Sequence, residues 1–258
     1  MPGILAIETA TKVCSIALMD GDEILGETSL NIPQVHVERL VVMINDMLGN
    51  LHLSYGDLDA VAVSNGPGSF TGLRIGLSVA KGIAFAEDKK LIAVPTLDAI
   101  AYGLRGFDAG KTIVPILHAR AEEFYYASFK FKGEELALIN DYRAAEAEDI
   151  AGEFSVGEGN ASGAESDTVF VGEGVLEFSK HVRMNPLSKN VKRKFGEDSM
   201  KYMPASARQV AFLAGAKFGR SDFADVKYLV PLYIKDFVAV KGNPLNKLLR
   251  VKSRVEKN

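Results

Sequence analysis

The 258-residue chain has no tryptophan, one cysteine and four histidines, and each shortage excludes something. A single cysteine, Cys14, forbids an internal disulfide and fits a reducing compartment. It stands in an alternating apolar pattern, which reads as a buried, inert thiol rather than a nucleophile. His36, His52, His118 and His181 are so spaced that no two fall three or four residues apart. No pair can therefore share one helical face as metal ligands, and no metal site is expected. No apolar run approaches the roughly 18 residues that span a bilayer. The N-terminus lacks a basic stretch followed by a small-residue cleavage site. A cytoplasmic protein without membrane contact is expected. Lys and Arg number 30 against 33 Asp and Glu, a net charge of −3, too small to draw nucleic acid or anionic lipid by its general field. There is no Gly-Lys-Ser/Thr phosphate loop, no G-x-G-x-x-G and no G-x-S-x-G around Ser69, so neither a P-loop enzyme nor a serine hydrolase of the elbow type is indicated.

Hydrophobic residues make up 47% and charged ones 24%, ordinary for a soluble domain or two. Alternation and turn residues predict strands over 4–8, 13–19 and 24–30, then a helix from about 34 to 49 stopped by Gly49. A strand over 58–64 runs into Ser64-Asn65-Gly66-Pro67-Gly68-Ser69-Phe70-Thr71-Gly72-Leu73-Arg74-Ile75-Gly76, which opens a helix over 73–86. Strand, glycine-rich turn and helix let backbone N–H groups approach an anion, since glycine lacks Cβ and the helix N-terminus is partly positive. A tight crossover turn that binds nothing has the same sequence. A strand over 91–94 and a helix capped by Thr96 complete a βββαβα unit. After a junction at 106–111 the order restarts with strands at 112–117, 124–131 and 136–142, a helix over 144–154 and a strand at 168–171. Two such units in tandem predict an α/β chain of the actin-like ATPase (ASKHA, ribonuclease H-like) architecture. Its lobes would be 1–105 and 106–258, with a nucleotide site between them.

The Gly-, Ser- and acid-rich stretch 155–167 is too poor in apolar surface to offset its ordering entropy and reads as a mobile loop. A helix capped by Ser206 runs to 218. The tail from Lys241 carries six Lys or Arg against one Glu, read either as a solvated end or as a contact for RNA or an acidic partner. Two earlier helices carry more apolar width than one covering face requires. Leu40, Ile44 and Met47 on the first, with Leu73, Gly76, Leu77, Ala80 and Ala84 on the second, read as a subunit interface. Burial within the fold is the alternative.

Several segments resemble the TsaB (YeaZ) family of bacterial tRNA threonylcarbamoyladenosine biosynthesis proteins. They are Ile-Leu-Ala-Ile-Glu-Thr-Ala-Thr from Ile4, His36-Val-Glu-Arg-Leu40, the glycine loop with its trailing Leu-Arg-Ile-Gly, Val94-Pro-Thr-Leu97 and the stretch from Pro231 to Ala239. The resemblance implies an actin-like fold and work in a complex. A paralogous subunit, TsaD, transfers threonylcarbamoyl to N6 of adenosine 37 in ANN-decoding tRNAs, and TsaE, a P-loop ATPase, joins it. It implies a non-catalytic scaffold that activates TsaD and meets tRNA only through the complex; a homodimer and a monomer are both open for the chain alone. It also places the two apolar helices in a four-helix contact with TsaD. The implied nucleotide site is degenerate: Glu8, Thr9, Thr11, Gly66 and Gly68 occupy phosphate-segment positions, but Ala10 stands where glycine would ease approach. No cofactor of its own is expected, with ATP or ADP at the partner interface the exception. His118 stands where relatives carry an acid. A stand-alone ASKHA small-molecule kinase and a glycoprotease-like peptidase are the competing readings. The kinase is disfavoured because the second half shows no glycine pair flanked by Asp.

Overall fold

The computed structural model describes residues 3–32, 35–106, 110–120, 122–154, 168–184 and 200–234. The stretch 155–167 and the tail from 241, singled out from sequence, lie outside them. In chain order the elements are β1 (Gly3–Glu8), β2 (Cys14–Asp20), β3 (Glu23–Leu30), α1 (Val35–Asn50), β4 (Ala60–Gly66), α2 (Phe70–Ala86), β5 (Lys90–Pro95) and α3 (Thr96–Tyr102). They continue as β6 (Thr112–Arg120), β7 (Glu123–Lys132), β8 (Glu135–Glu146), α4 (Ala147–Glu153), β9 (Thr168–Val171), α5 (Val175–Met184), β10 (Met200–Lys201) and α6 (Ala207–Gly219).

The two five-stranded sheets have one topology. The first runs β3-β2-β1-β4-β5 and the second β8-β7-β6-β9-β10. In each the first three strands are antiparallel neighbours and the last two join in parallel. The tandem repeat expected from pattern order is therefore present strand for strand, and the fold is actin-like.

Several boundaries differ from the sequence-based expectation, each for a local reason. α2 starts at Phe70, three residues early, because the Ser69 hydroxyl accepts from Gly72 N and caps it. α3 is capped by Pro95, and Thr96 is its first residue. Residues 144–146, expected to be helical, stay extended because β8 pairs with β7 as far as Glu123↔Glu146. α5 had no expected counterpart.

The layers explain the packing. α1 and α2 cover one face of the first sheet through Leu5, Ile7, Ile16, Leu40, Ile44 and Leu77. Its other face is lined by small residues, Ala6, Ala17, Ala60 and Ala62, and α6 settles onto it through Ala207, Val210, Ala211 and Ala214. Small side chains on both partners permit this close approach. α3 lies beside α6, with Ala99 toward the first sheet and Leu97, Ile100 and Leu104 against Ile113, Phe129 and Val171 of the second. α4 and α5 cover the outer face of the second sheet around Phe124, Phe170 and Phe178. The expected lobe boundary at 105/106 thus separates the sheets but not the helices. The chain after Ala205 returns to the first lobe, because the alanine-lined face would otherwise be left in water. Among the described residues no helix is long and apolar enough to cross a membrane.

Candidate functional site

In an open sheet containing parallel strands, ligands sit outside the carboxyl ends where the strand order reverses. Here those points are the β1/β4 and β6/β9 pairs. The sequence puts polar residues there. After the apolar run of β1 come Glu8, Thr9, Ala10 and Thr11, with Glu8 and Thr9 wholly buried and Thr11 nearly so. After β4 comes the glycine loop, with Gly66 and Pro67 buried and Gly68 half-buried.

The two segments meet closely. Ser69 N donates to Ala10 O at 2.7 Å, and Thr9 Oγ1 donates to Gly72 O at 2.8 Å. A Cβ on Gly68 would overlap Ala10, and one on Gly72 or Gly76 would overlap Thr9. All five residues expected at a nucleotide site are thus brought to one place, but the loop packs on the β1–β2 turn. Its Ser69 N–H, a donor that could hold a phosphate, is spent within the chain. A strap from the far end of the chain adds to the cover. Leu232 N donates to Asn65 O at 2.7 Å, and Leu232 O lies over Gly66. Tyr233 stacks near Phe70 with ring centroids 5.8 Å apart, while the Arg74 guanidinium sits 3.8 Å over the Phe70 ring. Lys81 Nζ holds the strap by Leu229 O at 3.1 Å.

Glu8 dominates the electrostatics. Its Oε1 accepts from Ala10 N, and its Oε2 is buried without a hydrogen-bond partner. Burial pushes its carboxyl up from 4.5 to about 7, opposed by the Ser64 hydroxyl and the Ala10 N–H and aided by the Glu173 charge. Ser64 Oγ in turn shares a 2.7 Å hydrogen bond with Thr96 Oγ1, so β4 and α3 complete a buried polar chain. Cys14 is pushed up to about 11, by burial first and then by Glu8. A thiol so disfavoured as thiolate is inert, as its strand setting implies.

The second lobe repeats the turn. Gly172 follows β9 with φ +125°, as Gly66 ends β4 with φ +117°. Both need the left-handed region that glycine alone enters freely. Gly174 N donates to Ile116 O at 3.0 Å, binding this loop to β6, while the first loop binds the β1–β2 turn through Ala10 O. Gly172 and Gly174 form a glycine pair around Glu173 in the second half, and no Asp flanks it. The readable signal was Gly-x-Gly directly after an apolar strand. His118, at the end of β6, packs edge-on against Phe124 at 5.5 Å.

Comparison with known proteins decides the family. Residues 24–242 match the family described as TsaD, tRNA N6-adenosine threonylcarbamoyltransferase. The chain belongs to the TsaD family. Among individual proteins it is similar to the tRNA threonylcarbamoyladenosine biosynthesis protein TsaB of Escherichia coli, 36% identical over 127 residues, which are 49% of this chain and 54% of that one. A tRNA N6-adenosine threonylcarbamoyltransferase of Staphylococcus aureus is 39% identical over 107 residues, 35% of this chain and 31% of that one. The chain spans about half the length of the TsaB relatives it matches. A solved structure from Pseudomonas aeruginosa, described as similar to the peptidase YeaZ, superimposes with a TM-score of 0.74 at 25% identity, covering 91% of this chain and 100% of that one. The TsaB resemblance read from the motifs agrees with these likenesses inside the TsaD family.

The residues expected at a subunit interface need correction. Leu40, Ile44, Met47, Leu73, Gly76, Leu77, Ala80 and Ala84 are all buried within this chain's own fold. Their apolar width arises because α1 and α2 each meet both the sheet and one another. What these helices leave outward is different: Val41 and Val42 on α1, and Phe85, 82% exposed, on α2. The strap adds exposed Tyr228, Val230 and Tyr233.

Proposed function

We propose that this TsaD-family chain serves tRNA threonylcarbamoyladenosine formation as a non-catalytic subunit that orders and activates a TsaD-like transferase. A TsaE-like P-loop ATPase completes the assembly, and tRNA reaches it through the complex. The observation that carries the reading is the closed first glycine loop. Its Ser69 N–H is spent on Ala10 and its mouth lies under Leu232, while the buried group left over is an acceptor, Glu8 Oε2. Such a site suits phosphate poorly, because anions need convergent donors. The relatives' names and the outward apolar residues Val41, Val42 and Phe85 support a partner on the α1–α2 side. In the absence of that partner the same face would pair two copies of this chain. Nucleotide, where it acts, belongs at the junction with the partner subunit. The protein works in the cytoplasm.

Reconstitution tests this reading. A TsaD-like transferase and a TsaE-like ATPase are supplied with tRNA, threonine, bicarbonate, ATP and an enzyme that makes threonylcarbamoyl-AMP, with and without this chain. Modification of adenosine 37 that depends on adding the chain is expected; equal modification without it removes the activator role. The Gly172–Gly174 pair favours one other reading, a stand-alone small-molecule kinase. Calorimetric titration of ATP into the isolated chain separates the two, since micromolar binding belongs to the kinase.

A further inference from the structure

The chain passes between its two sheets twice, outward from β5 through α3 to β6, and back from β10 through residues 202–206 to α6. The two passages meet at Met203. This residue packs on the cluster that Leu97, Ile100 and Leu104 of the outward passage form with Ile113 and Phe129 of the second sheet. Gly103, which ends α3, is the notch that receives it: a Cβ there would overlap the Met203 sulfur. The same point lies 3.5 Å from Nε2 of Gln209, in the first turn of α6. One thioether thus sits at the end of α3, beside the start of α6. The other methionines whose side chains are described differ from it. Met19, Met43 and Met47 are buried. Met200 is half-buried like Met203, but it packs on the second lobe's own core around Phe124 and Phe170.

An unbranched thioether fills an irregular gap well, and it is also oxidisable, which leucine is not. Oxidation would add an oxygen to a sulfur that has no space on the Gly103 side. It would also turn an apolar group polar amid Leu97, Ile100 and Leu104, where a polar atom without a partner is costly. We propose that Met203 is an oxidation site at the joint between the lobes, with a peroxide as oxidant. Its sulfoxide leaves the Gly103 notch and loosens the hold of α3 on the chain entering α6. In the step, a sulfur lone pair attacks one peroxide oxygen and the O–O bond breaks. The sulfur is oxidised by two electrons, and the other oxygen of hydrogen peroxide departs as water with both protons. A dithiol reductase reverses the change: the sulfoxide oxygen leaves as water and the dithiol becomes a disulfide. Cys14, single and buried, does not supply that dithiol. The site does not depend on the chain being a partner subunit.

Hydrogen peroxide applied to the folded, full-length chain tests the proposal. Peptide mass spectrometry should find Met203 oxidised at least about fivefold faster than Met19, Met43 and Met47. The oxidised chain should melt about 3–8 °C lower, with faster amide exchange over 97–104 and 207–213. A dithiol-driven methionine sulfoxide reductase should restore both. Met203→Leu, close in volume, should melt within about 2 °C of the untreated wild type and lose the peroxide shift. Met200→Leu should keep that shift. Oxidation of Met203 no faster than that of the buried methionines overturns the proposal, as does a shift that survives in folded Met203→Leu. Should Met203→Leu fail to fold, the wild type decides: amide exchange over 97–104 and 207–213 that is unchanged once Met203 carries its oxygen overturns the loosening.

Discussion

At the scale of single residues, this chain keeps its most costly group where a ligand site would be. Glu8 is buried, half-satisfied and protonated more readily than in water. A carboxyl raised from 4.5 to about 7 stabilises the fold fully below the lower value and loses that stability as pH climbs through the upper one. Glu8→Gln keeps an acceptor for Ala10 N–H and abolishes the charge. In chemical denaturation the variant should be more stable than wild type at pH 8, by up to about 3 kcal/mol, with the gap closing by pH 4.5. Asp98 behaves similarly, in a contact between α3 and β8. Burial raises it to about 6, and the Tyr142 hydroxyl donates to it at 2.7 Å. Tyr142→Phe should cost about 1–3 kcal/mol, more at pH 8 than at pH 5, because the ionised form loses its donor. Close approach makes a third prediction. Gly72→Ala would meet the Thr9 backbone carbonyl, whereas Gly76→Ala meets the Thr9 side chain. Each should destabilise by about 1–3 kcal/mol, and Thr9→Ala should rescue part of the loss at Gly76 but none at Gly72, read as a double-mutant cycle.

At the scale of elements, α1 and α2 show how a wide apolar stripe misleads. Leu77 and Ala80 look available for a partner when the helix is considered alone, but they face the first sheet and α1. A charge at either should unfold the chain rather than dissociate a complex. Phe85→Glu and Val42→Glu, on the outward faces, should leave the melting temperature within a few degrees of wild type while weakening association. Gel filtration with light scattering and a pull-down with a TsaD-like partner read the two effects separately. Retained binding in both outward variants would remove this face as the interface. The strap makes its own element-level point. Lys81 of α2 tethers the strap through Lys227 O and Leu229 O.

At the scale of the whole molecule, the repeat is not two independent lobes. α6 completes the first sheet, and α3 lies against the second. Removing everything after Ala205 should expose Ile4, Ala62, Ile92 and Val94 to water. The truncated chain is expected to bind a hydrophobic dye and to lose cooperative melting. A peptide spanning 206–234 added in trans should restore part of the transition. Cooperative unfolding of the truncated chain at wild-type temperature would show that the lobes stand alone.

What the sequence determined by itself was whatever local periodicity encodes: every strand but the short β10, the glycine turn with its helix, and the order that makes the repeat. The same residues carried the likeness to the TsaB family. Family motifs and turn chemistry are short-range, so one strand of text suffices to read them. The tertiary structure alone decided which apolar faces are inside, since a helix meeting both a sheet and a neighbour carries the same wide stripe as one meeting a partner. It also decided that α6 crosses back to the first sheet and that Leu232 lies over Gly66. These partners lie more than 100 residues apart in the sequence, and only the packing of small side chains and of apolar surface brings them together.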